Sequence, residues 1–298
     1  MESQRRRHNG FTWPPSFLQL LFWVTIPIIA SSTAFLLIPL HVLYAPIAVF
    51  IGTIWLILQI IILTFIDPAV SNLQKNQAPA YFDASKHEHV IENLFCNICL
   101  INVDSTCKHC RQCNKCISGF DHHCKWLNNC IGAVNYRLFL LLVLSVCFIS
   151  ALISTCLLIL IVISFISIGL LPHADKLPIK LLLWQSLCFA ASILYSTVAI
   201  MCAHLLYFHY KLWQRGMTTY HFIRINRRCM NNQQQQQQQQ QQEKNLSLNV
   251  NTIPGLNPLE KTCSKLGVIK SRAIHDSNID NPYVSFTFQE NFTNNELK

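Results

Sequence analysis

The chain has 298 residues, of which 51% are hydrophobic and only 12% are charged, and its formal net charge is +9. Soluble globular domains usually carry about 25% charged residues, so this composition excludes an ordinary soluble domain. The mean hydropathy is +0.30. The apolar excess is concentrated in four long segments that contain no charged side chain.

These four segments predict a mainly α, integral membrane protein with four transmembrane helices. A helix needs about 20 apolar residues to cross the hydrocarbon core, and helices of soluble proteins rarely exceed that length. The first segment is longer than the core of a signal peptide and lacks a small-x-small cleavage pattern. The four segments are residues 17–40, 47–66, 138–171 and 181–208.

Lysine and arginine residues predict the orientation of the spans, because they are enriched on the cytosolic side. The loop at residues 41–46 has no basic residue and the loop at 172–180 has only two lysines, whereas three arginines precede the first span, one arginine directly precedes the third, and five basic residues follow the fourth. We therefore expect both termini and the 67–137 loop to be cytosolic. The net charge is then a membrane-surface feature that attracts anionic lipid, and no nucleic-acid partner is expected. The basic residues concerned are Arg5, Arg6, Arg7, Arg137, Lys211, Arg215, Arg224, Arg227 and Arg228.

This interpretation divides the chain into five parts. A cytosolic N-terminus (1–16) precedes helices 1 and 2 (17–66), and a cytosolic cysteine-rich domain (67–137) precedes helices 3 and 4 (138–208). A cytosolic C-terminal tail (209–298) follows. Residues 210–230 of this tail predict a membrane-surface helix, and the glutamine run at 233–242 predicts disorder, as low-complexity sequence usually does.

The cysteine-rich domain has metal-ligand spacing. Eight of the fourteen cysteines and three histidines fall within residues 96–130, and clustered cytosolic thiols bind metal more often than they form disulfides. Since zinc takes four Cys or His ligands, eight candidates fill two Cys3His sites. They are Cys96, Cys99, His109, Cys110, Cys113, Cys116, His123 and Cys130.

Spacing alone leaves several alternatives open. It does not say which ligands share a zinc ion or which of His122 and His123 is bound, and either His87 or His89 is a conceivable substitute. A double zinc finger without catalytic activity also fits the pattern.

The ligand count leaves Cys107, His122 and Cys124 over, and Cys124 stands beside a histidine and an aspartate. Thiolate is the reactive form of cysteine, and a nearby histidine favours it. In an extended strand, residues two apart share a face, so His122 can face Cys124 while His123 faces a zinc ion. Asp121 can then orient His122, as in other Cys-His-acid arrangements.

At this point the sequence resembles a known family. The string Cys96-x2-Cys99-x9-His109-Cys110-x2-Cys113-x2-Cys116-x4-Asp121-His-His-Cys124-x5-Cys130-x4-Asn135-x3-Phe139 resembles the DHHC cysteine-rich-domain protein S-acyltransferases. The four-span topology, with this module between spans 2 and 3, is similar too. The resemblance covers about residues 10–225 and rests on a highly specific motif.

The resemblance implies an enzyme, a protein-cysteine S-palmitoyltransferase. It implies that Cys124 takes a long-chain acyl group from acyl-CoA and passes it to a cysteine of a protein substrate, with His122 as general base and Asp121 orienting His122. It also implies two interleaved structural Zn²⁺ sites. The first comprises Cys96, Cys99, His109 and Cys116, and the second comprises Cys110, Cys113, His123 and Cys130.

The implied partners are the lipid bilayer, fatty acyl-CoA and cytosolic-facing protein substrates with membrane-proximal cysteines. The implied location is an endomembrane, the Golgi or the endoplasmic reticulum. Basic side chains near the motif are candidate contacts for the CoA phosphates. They are Lys108, Arg111, Lys115 and Lys125.

Three positions depart from the family pattern. Thr218-Thr219-Tyr220 is followed by His221 where an acidic residue is frequent, which puts the contacts of this segment with the catalytic module in doubt. Ala69 stands where glycine is usual, and Lys125 replaces a frequent proline.

Two other classes of protein compete with the enzyme. The first is a non-catalytic, zinc-bearing membrane adaptor. The second is a transporter or channel, which is disfavoured because His204 is nearly the sole ionisable residue in the spans.

Overall fold

The computed structural model describes residues 6–73, 78–166 and 179–252, with side chains described as far as residue 244. In these ranges four helices are long and apolar enough to cross a membrane, with mean hydropathies of 1.6 to 3.0. They confirm the four predicted spans. They are α1 (Phe17–Leu36), α2 (Tyr44–Phe65), α3 (Tyr136–Ile166) and α4 (Leu181–Gln214).

Several helix ends differ from the predicted segments by two or more residues, and two of these differences have clear local causes. Helix α1 ends at Leu36 rather than at residue 40, because Pro39 has no N–H with which to continue a helix. Helix α4 continues to Gln214 rather than ending at residue 208, and Lys211 lies in its last turn, where a cation complements the helix dipole. Gly216 then stops it with a φ of 61°, a common helix-ending conformation.

The surface of the helices is that of a membrane protein. Large apolar side chains such as Val24, Ile51, Phe148, Phe165 and Leu182 are more than half exposed, which suits lipid and not water.

The interior of the helical bundle contains specific polar contacts between helices. The indole Nε1 of Trp184 donates to the Leu36 carbonyl at 3.1 Å, and Thr33 and Tyr195 hydroxyls lie 2.6 Å apart. Polar groups are satisfied internally in this way because hydrocarbon offers no hydrogen bonds.

Between α2 and α3 the chain forms short antiparallel hairpins. Strands β1 (Ile91–Glu92), β2 (Phe95–Cys96) and β3 (Ile101–Asn102) form one sheet. The pairs β4 (Lys108–Cys110) with β5 (Lys115–Ile117) and β6 (His122–Cys124) with β7 (Asn129–Ile131) form two more. We call β2–β3, β4–β5 and β6–β7 the first, second and third hairpins. Strands this short bury little apolar surface, and small modules of this kind usually depend on another source of stability, such as bound metal.

The chain divides into two units, Met1–Tyr220 and His221–Lys298. Helix α5 (Thr219–Thr252) begins at the end of the first unit. In the second unit it includes residues 233–242, so the structure contradicts the disorder predicted for the glutamine run. Glutamine is a good helix former, and no proline or glycine interrupts α5. Residues 253–298, the rest of the predicted tail, lie outside the described residues.

Candidate active site and metal centres

Among the described residues, two groups of side chains can each hold a metal ion. They are Cys96, Cys99, His109 and Cys116, and Cys110, Cys113, His123 and Cys130. In the first group the His109 Nδ1 lies 3.4 to 3.9 Å from the three sulfurs. In the second the His123 Nδ1 lies 3.3 to 3.8 Å from its three sulfurs.

These separations fit a tetrahedral zinc ion. Bond lengths of about 2.3 Å to sulfur and about 2.0 Å to nitrogen put neighbouring ligand atoms of a tetrahedron about 3.5 to 3.8 Å apart. The cysteines of both sets are buried, and each set supplies four protein ligands. The residues therefore suit a structural, closed site.

A sequence repeat underlies the three hairpins. Cys96, Cys110 and Cys124 recur every 14 residues, and each begins a turn whose fifth residue is Leu100, Asn114 or Asn128. Each of these fifth residues has a positive φ, between 52° and 54°. The strand pairing is also the same, since each repeated cysteine lies opposite Ile101, Lys115 or Asn129. The module is one hairpin used three times.

Each metal set is shared by successive hairpins. The turn of the first hairpin supplies Cys96 and Cys99, and the strands of the second supply the cross-strand pair His109 and Cys116.

The second metal set follows the same rule. The turn of the second hairpin supplies Cys110 and Cys113, and the strands of the third supply His123 and Cys130. Interleaving of the two sets follows directly from the repeat.

The third hairpin has no successor and its turn holds no metal set. Leu127 stands where Cys99 and Cys113 stand in the first two turns, and α3 follows the hairpin. Cys124 and Leu127 are buried in an apolar cluster with Leu63 of α2 and Phe139 and Val143 of α3. Cys124 thus occupies the position of a metal ligand in the repeat but belongs to neither metal set, and it packs against the spanning helices.

Asp121 and His122 form a tight pair beside Cys124. The Asp121 Oδ2 lies 2.7 Å from the His122 Nδ1, and the Oδ1 accepts from the Thr219 backbone N–H at 2.7 Å. Burial alone raises the pKa of Asp121, yet the hydrogen bonds from His122 and Thr219 lower it below its usual value. Asp121 is therefore an ionised, fully buried hydrogen-bond acceptor.

His122 and His123 have different partners. Burial by itself lowers the pKa of His122, but hydrogen bonds with Asp121 and Cys124 raise it to about 9. His123 instead lies among the sulfurs of the second metal set. Adjacent residues of the extended strand β6 point to opposite faces, so the one strand serves both the metal and the thiol.

Buried asparagines attach the third hairpin to the membrane helices. Asn129, which pairs with Cys124 across the hairpin, donates to the Leu63 and Ile66 carbonyls at 3.0 and 2.7 Å. These carbonyls end α2 and have no partner within the helix. Cys124 is consequently held at the end of a spanning helix.

An aromatic wall lies on the other side of His122. The His122 ring meets Phe139 edge-on at 5.2 Å, and Phe139 meets His209 of α4 at 5.6 Å. The Tyr136 hydroxyl lies 2.9 Å from the His209 Nδ1. The imidazole therefore has an acid on one side and an apolar ring on the other.

The candidate CoA contacts are placed unequally. Lys115 is 1% exposed, and its ammonium donates to Asp67 at 2.6 Å and to the His8 carbonyl at 2.8 Å. It cannot contact a ligand, which corrects the sequence-based interpretation. Lys108 lies 5.4 Å over the Tyr220 ring, and Arg111 and Lys125 are exposed.

The remaining sequence alternatives are also placed. His87 pairs with Glu92 at 3.2 Å, and neither it nor His89 belongs to a metal set. Cys107 is buried and lies outside both sets. The segment before His221 does contact the module, because Thr219 donates through its backbone and Tyr220 packs on Phe120.

The sequence analysis does not predict that residues 6–16 contact this site. Arg7 donates to Asn128 in the third turn at 2.5 Å, and the Ser16 hydroxyl donates to the Lys125 carbonyl. The arginines of this segment predict only the orientation of the spans. The 14-residue repeat is the one sequence feature that indicates such a contact, because its third turn lacks the second cysteine and needs another source of support.

The fold and the site define a class of protein: a four-helix membrane protein in which a metal-organised module carries an unligated cysteine with a histidine and an aspartate. The family model for the DHHC palmitoyltransferase matches residues 89–226. The chain belongs to the DHHC palmitoyltransferase family.

Relatives with curated names agree with this assignment. The chain is 44% identical over 141 residues to palmitoyltransferase ZDHHC11 from Homo sapiens, covering 45% of this chain and 34% of the relative. It is 42% identical over 143 residues to probable palmitoyltransferase ZDHHC11B from Homo sapiens, covering 45% and 38%. It is 31% identical over 251 residues to palmitoyltransferase ZDHHC11 from Mus musculus, covering 73% and 70%. The chain thus spans little more than a third of the two human relatives.

Proposed function

We propose that this chain is a protein S-acyltransferase that moves a long-chain acyl group, typically palmitoyl, from acyl-CoA to Cys124 and then to a cysteine of a protein substrate. The observation that carries the proposal is Cys124 itself. It occupies a zinc-ligand position of a repeated hairpin and lies outside both metal sets. It shares a short strand with His122, whose Nδ1 pairs with the buried Asp121.

The chemistry consists of two thioester exchanges. His122 accepts the Cys124 proton, and the thiolate sulfur attacks the carbonyl carbon of acyl-CoA. The bond from that carbon to the CoA sulfur breaks, and CoA leaves as a thiol with the proton from His122. A substrate cysteine then gives its proton to His122, and its sulfur attacks the carbonyl carbon of acyl-Cys124. The bond from that carbon to the Cys124 sulfur breaks, and Cys124 leaves as a thiol with the proton from His122.

Asp121 is proposed to orient His122 throughout both exchanges. Its hydrogen bond to the Nδ1 of His122 leaves Nε2 as the nitrogen that exchanges protons. The Thr219 N–H holds the other carboxylate oxygen, so the carboxylate cannot rotate freely.

The surroundings of Cys124 suit an acyl chain. The thiol lies in an apolar cluster with residues of α2 and α3, where each buried CH₂ contributes about 0.8 kcal/mol. Of the candidate CoA phosphate contacts, we retain Arg111 and Lys125, which are exposed, and Lys108, which lies over Tyr220.

We propose that both metal sets hold zinc. Their Cys3His donors and separations suit that ion. When bound, zinc links successive hairpins by thiolate and imidazole bonds and supplies structural support, since its four positions are filled by protein. Proton transfer and sulfur attack remain with the chain's own residues.

Charge distribution supports the proposed topology. Arg6 and Arg7 contact the cysteine-rich module, so the start of the chain and the module lie on the same side of the membrane. With the basic residues after α4, this side is proposed to be cytosolic. Substrate cysteines would then be membrane-proximal, in the endoplasmic reticulum or Golgi.

Cys124→Ser tests the proposal. The full chain in detergent is incubated with palmitoyl-CoA carrying an alkyne, and hydroxylamine-sensitive label is quantified. We expect stoichiometric label on the wild type and loss of nearly all label in Cys124→Ser, because serine is not activated by this histidine as a thiolate is.

Cys229→Ser is the matched control, because Cys229 is exposed and lies outside the module. It should leave most of the label in place. Label that persists in Cys124→Ser would contradict the assignment of Cys124 as the nucleophile. A zinc-replete wild type without label would favour the non-catalytic adaptor.

A further inference from the structure

Residues 6–16, which we call the N-terminal arm, lie across the turns of all three hairpins. The arm precedes α1 and forms no regular secondary structure. Its contacts are nonetheless specific, and they differ between the two turns that face a metal set and the one that does not.

At the first two turns the arm binds backbone and metal-ligand atoms. The Arg6 side chain, 7% exposed, donates from Nε to the Asn114 carbonyl at 3.3 Å and places Nη2 4.0 Å from the Cys99 Sγ. The Arg7 N–H donates to the Cys113 carbonyl at 3.0 Å. These contacts fix where the arm begins on the module.

At the third turn the arm surrounds Asn128. The Arg7 guanidinium donates to the Asn128 Oδ1 at 2.5 Å, and the Asn128 Nδ2 donates to the Gly10 and Pro14 carbonyls at 3.2 and 3.3 Å. Asn128 is 3% exposed. Both ends of this buried amide are therefore satisfied by the arm.

Gly10 sits between the third turn and the end of α2. Its N–H donates to the Thr64 carbonyl at 2.8 Å. A Cβ at this position would lie 2.1 Å from the Leu127 carbonyl oxygen and 2.7 Å from the Thr64 Cγ2. Glycine is required here because the backbone of the arm touches the backbone of the turn.

The three turns are thus held in two ways. In the first and second, a Cys-x2-Cys pair grips the metal set. In the third turn, Leu127 replaces the second cysteine, so the turn cannot supply two metal ligands. The turn nevertheless has a positive φ at the same position and the same strand register. Arg7 and Ser16 donate to this turn, and the Gly10 carbonyl accepts from it.

We infer that the N-terminal arm takes the place of a third metal ion and positions the turn that carries Cys124, with Arg7 and Gly10 as positioning residues for acyl transfer. This inference rests on the proposed acyltransferase function. It assigns the arm an indirect role in the rate of transfer to Cys124, because Arg7 and Gly10 contact the third turn and not the sulfur.

Kinetics of autoacylation provide the first test. We expect Arg7→Ala to lower the rate at saturating palmitoyl-CoA about tenfold, since misplacement of a reacting group reduces rate steeply. The half-saturating concentration and the zinc content should stay unchanged. Arg7→Lys should recover part of the rate because it keeps a cationic donor. Gly10→Ala should behave like Arg7→Ala.

Arg215→Ala is the matched control, because it also removes one arginine but from an exposed position after α4. It should retain the wild-type rate. If Arg7→Ala labels at the wild-type rate while Cys124→Ser does not label, the arm has no positioning role and the acyltransferase function stands. If Cys124→Ser labels normally, the function fails, and the second test below decides about the arm.

Amide hydrogen exchange provides that second test without reference to activity. In zinc-loaded Arg7→Ala, exchange should rise at residues 124–128 and stay unchanged at residues 96–100 and 110–114, where metal holds the turns. Unchanged protection at 124–128 would overturn the inference. A rise of equal size in all three turns would also overturn it, because it would mean general loosening of the module.

Discussion

Asp121, His122, His123 and Cys124 are four consecutive residues with three separate environments. His123 belongs to a metal set, whereas His122 lies between a buried carboxylate and an aromatic ring. The alternation of strand β6 separates the two histidines. A single register shift of β6 would exchange their roles, so the strand pairing with β7 is a condition for the chemistry.

Asp121→Asn should lower the autoacylation rate by about 10²- to 10⁴-fold at saturating acyl-CoA. The amide keeps an acceptor for Thr219 or for His122 but loses the charge that stabilises protonated His122. Zinc content should not change. The measurement is a time course of label at fixed zinc stoichiometry.

Asp104→Asn is its control. Asp104 accepts hydrogen bonds from Thr106 and Ser118 in the same module and lies outside the proposed catalytic set. If both variants lose rate equally, the effect of Asp121 comes from folding of the module and not from His122.

At the residue scale, the sequence was informative about ligand number and uninformative about burial. The two metal sets and the spare Cys124 follow from counting, and their pairing was available from family resemblance. Lys115 was misassigned because spacing does not reveal that its ammonium is buried against Asp67. Arg7 was overlooked because its partner, Asn128, lies 121 residues away in sequence.

At the scale of elements, the turn of the third hairpin differs from the first two turns at the position of the second cysteine, where it has Leu127. Leu127 removes a ligand from the turn and adds a side chain to the apolar cluster near Cys124. We propose that the same backbone gives a metal-binding turn or a catalytic turn, depending on this position.

Leu127→Cys should make autoacylation dependent on reductant. The change restores a Cys-x2-Cys pair in a turn of the right conformation, and such pairs form disulfides readily. Without reductant the label on Cys124 should fall at least about tenfold, and a dithiol with chelator should restore it. Leu127→Met keeps an apolar side chain and should label with or without reductant.

Reductant-independent labelling of Leu127→Cys would contradict the equivalence of the three turns. A loss of label that neither reductant nor chelator reverses would point to disruption of the apolar cluster instead.

At the scale of the whole molecule, the lipid-facing helices and the cysteine-rich hairpins are stabilised in different ways and meet at the end of α2. The spanning helices expose apolar surface that requires lipid, whereas the hairpins have small clusters rich in cysteine. Asn129 joins the two by completing the carbonyls at the end of α2. Segment lengths were enough to predict the spans, but not α4's continuation to Gln214 or the helical glutamine run, which depend on local propensity.

Metal removal should separate these two kinds of stabilisation. A chelator strong enough to strip both metal sets should abolish the label, because the third hairpin loses its His123 and Cys130 bonds. Most of the helical circular dichroism should remain, since the spans do not depend on metal. Metal analysis should give two zinc ions per chain before treatment, and full labelling after complete removal would contradict this view.

The shared metal sets make the module a short linear array with nearest-neighbour coupling. In such arrays each unit is stabilised by its successor, and the terminal unit needs a special cap. The first two hairpins are each closed by the next one, and the third is closed by α2, α3 and the chain's own beginning. The third hairpin is the end of this array that has no successor, and it carries Cys124, the cysteine proposed to react. A further hairpin would meet only one turn cysteine there, because Leu127 stands at the second position. The end position and Leu127 together keep the Cys124 thiol outside a metal set.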